Sequence, residues 1–109
     1  MPTNSADQSE LAHIRRLASE PAKIEVAETV KYDLMGQGLT NEVICEQIVT
    51  WIDSGQRVKK VILRGKHVDQ PAFEMKPRIN DLLFYVKVTL CELGDPEEYL
   101  LVISAHPDH

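Results

Sequence analysis

Two absences narrow the class of this protein before any motif is considered. The 109 residues include only two cysteines, Cys45 and Cys91, and neither belongs to the C-x-x-C pattern of redox or zinc motifs. This scarcity excludes a disulfide scaffold and is typical of a reducing cytosol. No apolar run approaches the about 20 residues of a transmembrane helix, and the polar start MPTNSADQSE lacks the apolar segment of a signal peptide. The sequence therefore predicts a cytoplasmic protein without membrane association.

Neither internal repeats nor a long linker divides the chain. Hydrophobic residues make up 43% of it and charged residues 27%, which is ordinary for a globular domain and unlike a disordered segment. A chain of this length builds one domain with a modest core. We expect a flexible tail at residues 1–8 and a single domain at residues 9–109.

Charge is distributed unevenly along the chain. The net charge of −5 argues mildly against nucleic acid as a partner. Residues 57–78, however, carry seven Lys or Arg residues against only Asp69 and Glu74. A phosphate backbone responds to such a basic stretch, and a solvated surface is the alternative interpretation.

The spacing of apolar residues changes from helical to alternating after Gly55. Before it, the pattern predicts three helices within 9–20, 27–38 and 39–55, the first capped by Ser9 and ended by Pro21. After it, the pattern predicts strands at 57–64, 72–79, 82–93 and 98–106. This order predicts an α+β fold in which N-terminal helices pack on one face of a C-terminal antiparallel β-meander. The other face of the sheet is expected to be open.

The stretch LLFYVKVTL at 82–90 places Tyr85 and Lys87 on one face of its strand. The short turn at 94–97 then sets the register of the last hairpin, with Tyr85 opposite His106 and Lys87 opposite Ser104. The same register assigns Leu101, Ile103 and Ala105 to the core face.

The turn at Asn80-Asp81 sets the register of the preceding hairpin. Pro77 falls at a position that needs a backbone donor, so a bulge or a shifted register there is left open. With this register, seven polar side chains share the open face: Glu74, Lys76, Arg78, Tyr85, Lys87, Ser104 and His106. A face with Lys, Arg, Tyr and His can bind a phosphodiester and move protons, whereas a plain solvated sheet surface is the alternative.

Three short motifs carry a resemblance to a known family. They are MKPRI at 75–79, FYVKV at 84–88 and ISAH at 103–106. Together with the preceding helices they resemble the MqsR family of bacterial toxins, within the RelE/ParE-like superfamily, over about residues 11–107. The small DUF4258-type domains are similar almost to the same degree. The resemblance implies a RelE-like fold and an mRNA interferase of a toxin–antitoxin system.

In the chemistry that this resemblance implies, the ribose 2′-OH attacks the adjacent phosphodiester without a metal or another cofactor. The catalytic residues that it implies are Lys60, Tyr85 and His106, where His106 replaces the family's lysine. The family's glutamine aligns near Ala72, so Gln70 takes its role only if the alignment is shifted slightly. Arg64, Gln70, Lys76, Arg78 and Lys87 are the implied substrate-binding residues.

The implied partners are an mRNA substrate and a cognate antitoxin protein, and the oligomeric state is open. Tyr85 can exchange protons if Lys87 or Lys76 lowers its pKa. The terminal sequence HPDH at 106–109 is too sparse in ligands to indicate a metal site. Two alternatives remain: a non-catalytic module that binds a protein or nucleic acid through the open face or an edge strand, and an inactive relative of the toxins.

Overall fold

The computed structural model describes residues 5–63, 70–92 and 96–108, and these residues form an α+β fold. In chain order the helices are α1 (Gln8–Ala18), a 3₁₀ helix (Pro21–Lys23), α2 (Glu28–Gly36) and α3 (Asn41–Asp53). The strands are β1 (Ile24–Val26), β2 (Lys59–Ile62), β3 (Pro71–Met75), β4 (Arg78–Ile79), β5 (Leu82–Cys91) and β6 (Tyr99–Pro107). The predicted α+β class is confirmed, and the helices precede the strands except for β1, which lies between α1 and α2.

Helix α1 begins at Gln8, one residue before the segment that the sequence pattern predicted. Asp7, not Ser9, is its N-cap, because the Asp7 carboxylate accepts the Glu10 N–H at 2.8 Å while the Glu10 carboxylate accepts the Asp7 N–H at 3.0 Å. Ser5 pairs with Lys59, and the Ala6 N–H donates to the Val58 carbonyl at 2.9 Å. Residues 5–8, which were predicted to belong to a flexible tail, are therefore bonded to the domain.

The sheet is mixed, which corrects the prediction of a purely antiparallel meander. Its strand order is β1-β6-β5-β3-β2, with β4 paired to β5. The short strand β1, from the helical half of the sequence, pairs in parallel with β6. Its three residues are too few to show an alternating pattern, so the spacing of apolar residues does not identify this edge strand.

The predicted registers of both hairpins are confirmed around the polar face. Tyr85 lies opposite His106 and Lys87 opposite Ser104. Glu74 lies opposite Lys87 in the neighbouring pair of strands. The register is unchanged across Pro77, where the Phe84 N–H donates to the Pro77 carbonyl at 2.8 Å. Pro77 has no N–H to donate to the Phe84 carbonyl, so the ladder is interrupted there and the strand divides into β3 and β4 without a bulge.

A register shift between Lys87 and Val88 corrects one part of the prediction. Val88 pairs with Val102 rather than with Ile103, so Ile103 becomes the extra residue of a β-bulge. As a result Leu100 and Val102 are buried in the core, while Leu101 and Ile103 are only half-buried. Ala105 lies beyond the shift and is buried as predicted.

All three α-helices pack on one face of the sheet. Their apolar residues form one core with the even-numbered residues of β5: Ile14, Leu17, Val30, Leu34, Ile44, Ile48, Phe84, Val86 and Val88. The opposite face is only partly open, since Ala72 and Thr89 on it are fully buried. Within the described residues, no helix combines the length and the apolar character that a bilayer span would require.

Candidate functional site

Five polar side chains from three neighbouring strands meet on the sheet face opposite the helices. We call them the face cluster: Glu74 of β3, Tyr85 and Lys87 of β5, and Ser104 and His106 of β6. Each is half-buried. Alternation along a strand turns the neighbours of these residues inward, so the same sequence that builds the core presents the cluster on the other face.

Tyr85 is the centre of the face cluster. Its hydroxyl donates a hydrogen bond of 2.5 Å to Oε2 of Glu74. Its ring centroid lies 5.5 Å from that of His106, with the two rings tilted by 39°. The Lys87 Nζ lies 5.9 Å from the Tyr85 ring centroid. A carboxylate, a phenol, an imidazole and an ammonium group are thus held side by side.

The electrostatics of Tyr85 contradict the expectation that a lysine lowers its pKa. Partial burial, and then the hydrogen bond and negative charge of Glu74, raise the pKa of Tyr85 well above the ordinary value. Both causes favour the neutral phenol, because a phenolate would be poorly solvated and would lie against a carboxylate. Tyr85 is therefore a hydrogen-bond donor that orients Glu74, and it is poorly suited to act as a base.

His106 is oriented by its own backbone. Its Nδ1 lies 3.0 Å from the carbonyl oxygen of Pro107. Since a carbonyl only accepts, the proton of this bond belongs to Nδ1, and the neutral imidazole then has its lone pair on Nε2. An imidazole with one nitrogen fixed and the other available is suited to general acid–base chemistry.

Cations surround the face cluster at one end of the sheet. Lys76 is exposed and forms an ion pair of 3.3 Å with Asp108, and Arg78 is exposed on β4. Lys87 forms no ion pair with any carboxylate in the described part of the chain. A half-buried ammonium without a carboxylate partner favours binding of an anion from outside the protein.

Lys60 lies away from the face cluster. It is paired with Phe73 across β2 and β3, and directly opposite residues share a face, so Lys60 belongs to the helix side of the sheet. There its Nζ forms an ion pair of 2.6 Å with Glu10 of α1. The structure therefore does not bring Lys60 together with Tyr85 and His106, although the resemblance gave all three a shared catalytic role.

The Gln70 amide is bonded to Thr89 and Leu90, which are not members of the face cluster. Its Nε2 donates to Oγ1 of Thr89 at 2.9 Å and to the carbonyl of Leu90 at 3.1 Å, which uses both amide hydrogens. The hydroxyl of the buried Thr89 in turn donates to the Pro71 carbonyl at 2.8 Å. Arg64, another predicted substrate-binding residue, lies outside the described residues.

Sequence reasoning missed a role for two carboxylates of the site. Glu74 was placed on the correct face, but its bond to Tyr85 joins diagonal positions and does not follow from pairing alone. Asp108 lies after the last predicted strand. Two residues beyond the Tyr85–His106 pair, the same register places Asp108 beside Leu83, and the Asp108 N–H donates to the Leu83 carbonyl at 2.7 Å. Within residues 5–63, 70–92 and 96–108, no three His, Cys, Asp or Glu side chains come together as metal ligands would.

Comparisons of this chain with family models, with curated proteins and with solved structures give no match. The resemblance to the MqsR-type toxins therefore depends on the three short motifs, and the chemistry of the site has to be argued from its own geometry.

Proposed function

We propose that this protein is a metal-independent endoribonuclease that cleaves mRNA by attack of a ribose 2′-OH on the adjacent phosphodiester, as in the toxins that it resembles. The observation that carries the proposal is the contact of Tyr85 with Glu74, His106 and Lys87 on one sheet face. These groups provide a proton acceptor, a proton donor and a charge stabiliser, which are the components that this reaction requires.

We assign the roles from the contacts of each side chain. Glu74, oriented by the Tyr85 hydroxyl, takes the proton of the attacking 2′-OH. Protonated His106 gives its Nε2 proton to the departing 5′-oxygen as the P–O5′ bond breaks. Lys87 stabilises the negative charge at phosphorus, while Lys76 and Arg78 hold the flanking backbone. The products are a 2′,3′-cyclic phosphate and a 5′-hydroxyl, and Tyr85 acts as a positioning residue.

Cleavage of end-labelled single-stranded RNA by the purified protein in the presence of EDTA tests this proposal. We expect H106Q and E74Q each to lower kcat at least about a hundredfold, as for the loss of a general acid or base. An RNA with a single 2′-deoxynucleotide at the cleaved position should resist cleavage there and nowhere else. Absence of cleavage by the wild type at micromolar protein concentrations would overturn the enzymatic proposal.

The second candidate is an RNA-binding module that uses the same face without catalysis. The position of Lys60 on the far side of the sheet favours it, because the cluster then lacks the catalytic lysine that the resemblance implies. This candidate predicts that wild type and H106Q bind RNA equally well and that neither cleaves it. K87M should weaken RNA binding in that case. The substitution removes the ammonium group of Lys87, which has no ion-pair partner among the described residues.

The proposed protein partner is an antitoxin, which would restrain the nuclease in the cytoplasm. Expression of the wild type alone should arrest growth, and H106Q should relieve the arrest at the same protein level. If H106Q arrests growth as strongly as the wild type, toxicity does not come from this site.

A further inference from the structure

An exposed leucine interrupts the polar face next to the cluster. Leu83 is two residues before Tyr85 on β5 and shares its face, yet 38% of its surface is exposed. Two residues along a strand correspond to about 7 Å. Leu83 therefore lies one side-chain position from the centre of the cluster, at the end of the sheet formed by the β4–β5 hairpin.

Arg78 lies directly opposite Leu83. The Phe84 N–H bonds to the Pro77 carbonyl, so residues 77 and 84 form a hydrogen-bonded pair and residues 78 and 83 form the adjacent non-hydrogen-bonded pair. Side chains of such a pair are especially close. An apolar side chain and a planar guanidinium thus stand together on the proposed RNA-binding face.

The hairpin turn fixes the position of this pair. Asn80 and Asp81 both have positive φ, 52° and 65°, as a tight two-residue turn of type I′ requires. The Arg78 Nη1 lies 3.4 Å from the Asp81 carbonyl, which directs the guanidinium across the turn. The short turn, and the register shared by both sides of Pro77, place Arg78 and Leu83 directly opposite each other.

We propose that Leu83 and Arg78 form a nucleobase subsite for the nucleotide next to the scissile phosphate. This inference rests on the proposed ribonuclease function and identifies what recognises the substrate beside the cluster. A base offers an apolar face for Leu83 and a π-system on which a guanidinium stacks, and Arg78 can contact the phosphate at the same time. Stacking of this kind accepts any base, so it provides affinity and register without strong sequence preference.

The same hairpin contains a matched control. Leu82 is 47% exposed, somewhat more than Leu83, but it is paired with Ile79 and lies on the opposite face. L83A and L82A therefore remove the same atoms from neighbouring exposed positions, and only L83A alters the proposed subsite. R78K keeps the positive charge and removes the planar group.

Steady-state cleavage of a short single-stranded RNA tests the subsite. We expect L83A and R78K to raise KM about fivefold or more with kcat unchanged, as for the loss of one base contact, and L82A to leave both constants unchanged. With the wild type, a substrate with an abasic nucleotide beside the cleaved bond should show the same increase in KM. With L83A, the abasic and the intact substrate should have the same KM. Equal KM values for L83A and L82A, or an equal abasic penalty in wild type and L83A, would overturn the inference.

Binding measurements separate failure of this inference from failure of the proposed function. Fluorescence anisotropy with the same intact and abasic oligonucleotides needs no cleavage. If the wild type does not cleave RNA but L83A still removes the abasic penalty in Kd, the nuclease proposal fails and the subsite stands. If the wild type cleaves RNA and the penalty is unchanged in L83A, the nuclease stands and the subsite fails.

Discussion

Replacing Tyr85 by phenylalanine isolates the bond that organises the candidate site. The change removes the hydroxyl that donates to Glu74 at 2.5 Å and keeps the ring that contacts His106. A hydrogen bond to a charged group contributes roughly 1.5–3 kcal/mol when it is buried. Both partners here are half-buried, and water can solvate Glu74 after the substitution. We therefore expect Y85F to lower the free energy of unfolding by about 1–1.5 kcal/mol at neutral pH.

Urea denaturation followed by circular dichroism measures this change, and Tyr32 offers the control. Its side chain is 67% exposed on α2, so Y32F should alter the free energy of unfolding by less than about 0.5 kcal/mol. E74Q should lose most of the stabilisation as well, and the double variant E74Q/Y85F should lose little more than either single variant. If Y85F is no less stable than Y32F, the bond to Glu74 does not stabilise the fold and the reasoning about the site is wrong.

The same variant predicts a pH dependence with a definite sign. Because the pKa of Tyr85 in the folded protein is raised above the ordinary 10.0, its stabilising effect is complete below pH 10. Above that pH the unfolded chain loses the phenolic proton while the folded protein keeps it, so the free energy of unfolding decreases as pH rises. The stability difference between wild type and Y85F should shrink between about pH 10 and 11, and a difference that grows over this range would contradict the raised pKa.

Three further outcomes follow from the structure. D7A should lower the free energy of unfolding by about 1 kcal/mol through loss of the α1 cap, whereas S9A should change it by only a few tenths. Cys45 is buried and its pKa is raised to about 11, so a thiol reagent at pH 8 should modify it only after denaturant is added. K60M should leave the kcat of RNA cleavage unchanged while K87M lowers it at least about tenfold, and equal losses would show that Lys60 acts at the site after all.

The register around the site was predictable because two short-range rules fix it. Side chains alternate along β5, and the two-residue turn at Asn80-Asp81 allows only one pairing that keeps Phe84 and Val86 in the core. The short connection at 94–97 likewise set the register of β5 with β6 and placed Tyr85 opposite His106, as the structure confirms. Nothing in that derivation depended on the identity of a relative.

The side of the sheet on which Lys60 lies was not predictable to the same degree. The connection from β2 to β3 runs through residues 63–70, which is too long for a turn type to set the pairing. The motif comparison placed Lys60 among the catalytic residues by its position in the chain. Its true neighbours are Phe73, across the strands, and Glu10, on a helix distant in sequence, and neither contact has a local signal.

The pKa of Tyr85 shows a different limit of sequence reasoning. Lys87 is two positions from Tyr85 along β5, and Lys76 lies directly opposite Tyr85 in the predicted register, so a lowered pKa was the natural expectation. In the structure Lys76 is paired with Asp108 and Lys87 lies 5.9 Å from the ring, whereas Glu74 is in direct contact with the hydroxyl. The direction of the pKa shift is therefore decided by the side chain in direct contact with the phenol, and not by the sign of the charge that is more numerous nearby.

The β-bulge at Ile103 explains how one strand can serve both the core and the site. Without an extra residue, a β6 that places Ser104 and His106 on the polar face would place Leu100 and Val102 there as well. The bulge reverses the alternation between Ser104 and Val102, so both apolar side chains are buried while the polar pair stays on the face. It falls next to the Lys87–Ser104 pair, at the edge of the cluster. Bulges concentrate beside functional sites because they redirect side chains at a small local cost, and this one allows an otherwise apolar strand to contribute an imidazole to the face cluster.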